Sequence, residues 1–315
     1  MAMSFRTLGG SGLRVSVVGL GTNNLGARLD QAASARVVHA ALDHGITLFD
    51  SADVYGGGQS EEFLGAALRD RRDRAIIATK FGMAVGGGHL LDRGGSRIYV
   101  RQAVERSLRR LGTDHIDLYQ MHRPDSATPI EETLAVLDDL VREGKVLYIG
   151  NSNFAGWQIA DADWTARTAH LTRFVSAQNW YNLLRRDVEA EVIPACRRFD
   201  LGMLPYFPLE SGLLTGKYRR GQPAPQGSRL TSERYAPWLK DERALAIVEA
   251  LERFAAERGV SLLQLAIGGL AAQPCVASVI AGASTPEQVA ANVAAGEWQP
   301  GAEDLAGIDR ITKGR

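Results

Sequence analysis

Four polar residues, Asp50, Tyr55, Lys80 and His122, stand at or just past the ends of short apolar runs. The runs are ITLFD (46–50), AIIATK (75–80) and IDLYQMH (116–122), and Tyr55 follows the first by five residues. A carboxylate, a phenol, an ammonium and an imidazole can together move a proton and steady a developing charge. Singly, each has a plain structural reading: Asp50 as a turn former, Lys80 as a solvated cation, His122 as a core histidine, Tyr55 as a packed aromatic. But continuous apolar runs are strands buried on both faces, and packing does not explain a titratable residue closing several of them in succession. The pattern reads as an active site at one rim of a parallel barrel, where functional groups come from the ends of different strands.

The elements that must position these residues recur along the chain. Eight apolar runs appear: VSVVGLG (15–21), ITLFD, AIIATK, IDLYQMH, VLYIGNSN (146–153), FVSAQ (174–178), LGMLPY (201–206) and ASVIAG (277–282). Most of their ends lie about 30 residues apart, the size of one strand–helix unit. Helical patterns fill the intervals. The clearest is 129–143, with Ile130, Leu134, Leu137 and Val141 on one face and Thr128-Pro129-Ile130-Glu131 as a capping box. Ser60-Glu61-Glu62 reads as a second N-cap with acids in the first turn. Eight alternating units predict an α/β fold, a (β/α)8 TIM barrel spanning 1–315 as one domain. RTLGGSGLRVS before the first unit reads as an N-terminal β-hairpin. Two long segments, 81–97 and 210–240, follow strand ends and should overhang the C-terminal rim.

Composition narrows the function. Lys and Arg together number 36, as do Asp and Glu, so no net charge favours nucleic acid or an anionic membrane. The charge-free stretch 260–284 is interrupted by Gln264, Gln273 and Pro274 and reads as a core helix and a buried strand, not a membrane span. Cys196 and Cys275 lack metal-ligand spacing, predict no metal site, and read as small buried hydrophobes of a reducing compartment. With no apolar run at the N-terminus suited to a signal peptide, a cytoplasmic protein is expected. Trp157, Trp164 and Trp298 are expected to pack the outer helices.

Seven motifs carry a family resemblance along nearly the whole chain. They are FDSADVYG (49–56), ATKFG (78–82), QMHRPD (120–125), IGNSNF (149–154), AQNWYNLL (177–184), PYFPLESGLLTGKY (205–218) and IAGASTPEQVAANV (280–293). In this order they resemble the aldo-keto reductases, in the branch of bacterial members and the β-subunits of voltage-gated potassium channels. The resemblance implies a barrel that binds NADPH, with NADH the lesser alternative, and reduces a small carbonyl substrate. The family tetrad falls on Asp50, Tyr55, Lys80 and His122 without substitution. Tyr55 would be the general acid. Lys80, paired with Asp50, should favour the phenolate and make the phenol a better acid. His122 would donate a hydrogen bond to the carbonyl oxygen.

The resemblance also assigns a cofactor surface. Ser152, Asn153 and Gln178 would hold the nicotinamide carboxamide, and Tyr206 would stack on the ring. Leu209, Ser211, Gly212 and Leu214 would meet the phosphates, with Gly282, Ser284, Gln288 and Asn292 beyond them and Gly21 and Thr22 at the first strand end. GLGTNNLG (19–26) lacks the spacing of a dinucleotide fingerprint. No basic residue lies in 282–288, and the resemblance to the channel β-subunits implies Lys217 and Arg229 as partners of the 2′-phosphate instead; the competing reading is a solvated basic loop. Thr285 and Gln288 also fit a plain capping box. Asn151 stands where a small apolar residue is usual. Asn23, Asn24, Met83, Trp180, Tyr235 and Trp238 are the candidate substrate wall. Two other functions compete: an NADP-binding regulatory subunit with slow or vestigial turnover, against which His122 argues, and a Schiff-base lyase built on Lys80.

Overall fold

The computed structural model describes residues 3–85, 92–218, 220–226, 228–231, 238 and 240–313, with Arg229 described by its backbone alone. An antiparallel hairpin, β1 (Phe5–Thr7) and β2 (Arg14–Ser16), leads into a parallel sheet. The sheet comprises β3 (Val18–Gly21), β4 (Leu48–Asp50), β5 (Ile76–Phe81), β6 (Ile116–Met121), β7 (Val146–Ser152), β8 (Ser176–Gln178), β9 (Gly202–Met203) and β10 (Val279–Gly282). Between them run α1 (Gln31–Asp43), α2 (Gln59–Leu68), α3 (Arg97–Leu111), α4 (Ile130–Arg142), α5 (Gly156–Thr168), α6 (Val192–Phe199), α7 (Glu242–Glu257) and α8 (Leu262–Ala271). Two more, α9 (Pro286–Gly296) and α10 (Ala302–Thr312), follow β10.

The strands run in the order β10-β3-β4-β5-β6-β7-β8-β9. The two edges meet through single bridges, Met203 with Val276 and Tyr206 with Ile280. There the Met203 amide donates to the Cys275 carbonyl at 2.8 Å and the Ile280 amide to the Pro205 carbonyl at 3.0 Å. This is the expected TIM-type barrel, with alternating strands and helices and the hairpin at its N-terminal end.

Period two sorts each strand into a face toward the barrel axis and a face toward the helices. Leu48, Ala78, Leu118, Leu204, Ala277 and Ile280 meet inside with Leu8 and Val15 of the hairpin segment. Phe49, Ile77 and Tyr119 pack outward against Val38, Leu64 and Val104 of the helices. Two residues further along the inner face from Leu48, Ala78 and Leu118 come Asp50, Lys80 and Gln120. The same alternation that fills the barrel therefore delivers polar side chains to its C-terminal rim.

Several local expectations need correction. The run 15–21 is two elements: residues through Ser16 pair with β1, and only Val18–Gly21 joins the barrel. Ser60 is not an N-cap but lies inside α2, whose N-cap is Gly58; its hydroxyl donates to the Thr22 carbonyl at 2.9 Å. Thr128 does not cap α4, which begins at Ile130 behind Pro129 with no side-chain cap; its hydroxyl donates to Asp125 at 2.7 Å. Trp157 and Trp164 are 65% and 55% exposed on α5, so they do not pack the helical layer, whereas Trp298 does pack against a buried cluster. Cys196 is buried but Cys275 only partly so. Among the described residues no helix is long and apolar enough to cross a membrane.

Candidate active site

Three strand ends and one short helical turn bring the tetrad together. Lys80 is fully buried at the end of β5, and its ammonium donates to Asp50 Oδ2 and to the Ser51 carbonyl, each at 2.7 Å. Burial opposes its charge, but the Asp50 carboxylate and the Tyr55 phenol outweigh that, and the lysine pKa is raised. Tyr55 opens a 3-10 turn through Gly58 in which Gly56 and Gly57 adopt left-handed backbone, a conformation cheap only for glycine. That turn brings the phenol over β5, with Lys80 Nζ 5.1 Å from the ring centroid. His122 meets the same ring edge-on at 6.0 Å between centroids.

The phenol's acidity departs from the expectation. Burial raises the Tyr55 pKa by more than Lys80 lowers it, so the net shift is upward. The hydroxyl is therefore firmly protonated in the free protein. Burial, helped by the positive charges of Lys80 and Arg123, pushes His122 down to about 3. Its imidazole is neutral, and Nδ1 is buried without a partner.

A polar network reaches outward from Asp50. Oδ1 accepts from Gln178 Nε2 at 2.8 Å and from Gln120 Nε2 at 3.3 Å, so both carboxylate oxygens are engaged. Asn153 adopts left-handed backbone (φ 61°). Its amide donates to the His122 carbonyl and to Ser152 Oγ at 3.0 Å each, and its Oδ1 accepts from the Tyr206 hydroxyl at 2.8 Å. Ser152 Oγ donates to the Gln178 carbonyl. The residues expected to hold a carboxamide thus form one contiguous cluster next to the tetrad. Asn151 hydrogen-bonds inward to the Ser176 carbonyl at 3.2 Å.

The outer residues fall into two groups. Gly21 pairs with Gly282 across the β3–β10 register. Thr22 is fully buried with its hydroxyl donating to the Asp50 carbonyl. Asn24 is buried and donates to the Ala283 carbonyl, tying the two strand ends together; it and Asn23 lie beside Gly282. Gln288 Oε1 accepts from the Ser284 amide and hydroxyl, and Asn292 donates to the Gly282 carbonyl. Thr285 caps α9 by accepting from the Gln288 amide, but the Gln288 side chain returns to Ser284, not to the Thr285 backbone, so the box is half formed.

The second group lies after β9. The Leu209 carbonyl accepts from the amides of Gly212 and Leu214, and Ser211 Oγ is buried without a partner. A Cβ on Gly212 would come within 3.1 Å of Lys217 Nζ, so the lysine sits against this turn. Trp180 lies parallel to Trp238 at 5.7 Å and to Tyr206 at 6.4 Å. The Met83 carbonyl accepts from the Tyr99 hydroxyl. Tyr235 and the side chain of Arg229 lie outside the described residues.

Three buried polar residues near the site were missed in the sequence. Gln120 sits two positions before His122 inside an apolar run, a period-two signal that could have found it. Asp53 is buried beneath the tyrosine turn, accepts from the Tyr99 hydroxyl at 3.1 Å, and is raised to about 7 by burial and by the nearby Glu61. Glu210, in the turn after β9, carried no sequence signal beyond its charge.

An eight-stranded barrel with acid–base side chains at its C-terminal rim defines a class of α/β enzyme-like folds. The chain belongs to the aldo/keto reductase family, whose pattern matches residues 17–313. It is 38% identical over 302 residues to a probable voltage-gated potassium channel subunit beta of Oryza sativa subsp. japonica, covering 93% of this chain and 91% of that protein. It is 36% identical over 319 residues to the aldo-keto reductase YhdN of Bacillus subtilis, covering 98% and 93%. The uncharacterized oxidoreductase YrpG of the same bacterium is 36% identical over 322 residues, covering 99% and 97%.

Proposed function

We propose that this single barrel is an NADPH-dependent reductase of aldehydes or ketones. The observation that carries the reading is the buried Asp50–Lys80 pair beneath a protonated Tyr55, with neutral His122 across the phenol. When bound, NADPH supplies a hydride to the carbonyl carbon. Tyr55 then gives its proton to the carbonyl oxygen, and Lys80 stabilises the phenolate left behind. Asp50 keeps Lys80 charged in a buried setting. His122, neutral, can donate a hydrogen bond to the same oxygen and orient it.

The residues present suit such a cofactor. The orphaned Ser211 hydroxyl and the adjacent Lys217 ammonium offer a donor and a charge to a phosphate. Ser152, Asn153 and Gln178 would hold the carboxamide and Tyr206 the ring. Leu209, Gly212 and Leu214 would line the pyrophosphate with Ser211. Gly21, Thr22, Gly282, Ser284, Gln288 and Asn292 would border the remainder, and Lys217 with Arg229 would take the 2′-phosphate. Trp180 and Trp238 would wall the substrate, with Met83, Asn23, Asn24 and Tyr235.

The test is NADPH oxidation against a broad aldehyde and ketone panel, with Tyr55→Phe as the control. No turnover on any carbonyl by the native protein would sink the reading. A second reading, a cofactor-binding partner subunit, is favoured by the likeness to the plant channel protein. Tight NADPH binding with turnover no faster than Tyr55→Phe would support it.

A further inference from the structure

Glu210 is a buried carboxylate for which neither the tetrad nor the cofactor contacts provide a role; it is 4% exposed. It adopts left-handed backbone (φ 43°), as do its neighbours Phe207 (φ 52°) and Ser211 (φ 55°). Such backbone is uncommon for residues other than glycine and persists only where surrounding contacts hold it. Those contacts come from the loop after β8. Glu210 Oε2 accepts from Trp180 Nε1 at 2.9 Å and from Asn182 Nδ2 at 2.5 Å, and Oε1 accepts from Arg185 Nε at 3.3 Å. Asn182, fully buried, also donates to the Phe207 carbonyl at 2.9 Å. Arg185 lies over the Trp180 ring at 5.0 Å.

One carboxylate thus joins two loops that serve different ligands. Its backbone forms the turn holding Ser211, Gly212 and Lys217, and its side chain fixes the indole of Trp180. We propose that Glu210 is a positioning residue that keeps the cofactor phosphate seat and the substrate wall in register. The proposal rests on the NADPH-dependent reading above. A side chain with three donors converging on it holds a geometry that no single bond would, and its removal leaves those donors unpaired.

The experiment measures calorimetric affinity for 2′-phospho-ADP-ribose, which carries the phosphates but no nicotinamide, together with KM for a reduced carbonyl. Glu210→Ala should weaken the phosphate ligand and raise KM, each by about tenfold, as expected when a hydrogen-bonded buried charge is deleted. Glu210→Gln keeps the shape and one acceptor oxygen and should restore both to within about threefold. Trp180→Phe removes the indole N–H donor to Glu210 and leaves a smaller aromatic ring at the substrate wall; it should weaken the phosphate ligand about twofold. Should Glu210→Ala fail to fold, Trp180→Phe decides, because an unchanged phosphate affinity in it overturns the proposal. A folded Glu210→Ala that is merely less heat-stable, with both constants unchanged, overturns it as well. If the native protein binds neither NADPH nor the phosphate ligand, the cofactor reading falls and this inference with it; native binding with indifferent variants removes this inference alone.

Discussion

The protonation states set by burial make definite demands on pH. Tyr55 must hold its proton to act as an acid, and its raised pKa keeps it protonated past neutrality. His122 charges only near 3. The reductive rate should therefore be flat from about pH 5 to about pH 9, because neither group titrates in that window. An acid limb with a midpoint near pH 6.5 in kcat/KM would contradict the neutral imidazole. Tyr55→Phe should lower kcat by about a hundredfold or more while leaving NADPH affinity within about twofold, measured by stopped flow and by titration. Asp53 gives the opposite linkage from an ordinary salt-bridged acid. Its folded pKa is raised from 3.8 to about 7, so the folded state binds the extra proton and stability falls as pH rises between those values. Asp53→Asn should stabilise the protein against urea at pH 8, by at most roughly 4 kcal/mol at about 1.4 kcal/mol per unit, and by little near pH 4. That Asp50, Tyr55, Lys80 and His122 lie together was legible because they stand at or just past the ends of apolar runs. The net acidity of Tyr55 was not, since burial is a property of the folded surroundings.

At the level of elements, helix signals were read correctly where they concern periodicity and incorrectly where they concern caps. Ile130, Leu134 and Leu137 mark the inner face of α4 as expected, whereas the Ser60 hydroxyl goes to the distant Thr22 carbonyl and the Thr128 hydroxyl to Asp125, three residues back. A cap motif fixes which atoms are available; competing acceptors, near or far along the chain, decide where they go. Glu61 shows the same effect. It is a first-turn acid of α2 as expected, yet it is fully buried, bonded by Thr79 at 2.5 Å and by Arg110 at 2.6 Å. This pair links α2, α3 and β5 behind the tyrosine turn. Arg110→Met should therefore cost about 3–5 kcal/mol, because it strands a buried carboxylate. Adding Glu61→Gln should recover most of that loss in chemical denaturation.

The barrel as a whole was legible from the beat of its strands, and its N-terminal closure was only half so. The hairpin was expected, but the way it seals the barrel was not. Leu8 enters the inner cluster, and Arg6 donates from one nitrogen to the carbonyls of Ala271 and Val276. Those acceptors lie at the last residue of α8 and just beyond it, far along the chain, so no local pattern announces them. Arg6→Met should lower unfolding free energy by about 1–3 kcal/mol, since it leaves buried carbonyls unpaired, with kcat unchanged. The seam between β9 and β10 has a different consequence. The ring there is held by isolated bridges beside a two-residue strand, and residues proposed to meet the cofactor, Tyr206 and Gly282, stand on its two sides. A molecule lying across both would act as a rivet. Amide hydrogen exchange at Met203 and Ile280 should then slow on adding NADPH, while the β5–β6 amides on the far side of the ring keep their rates.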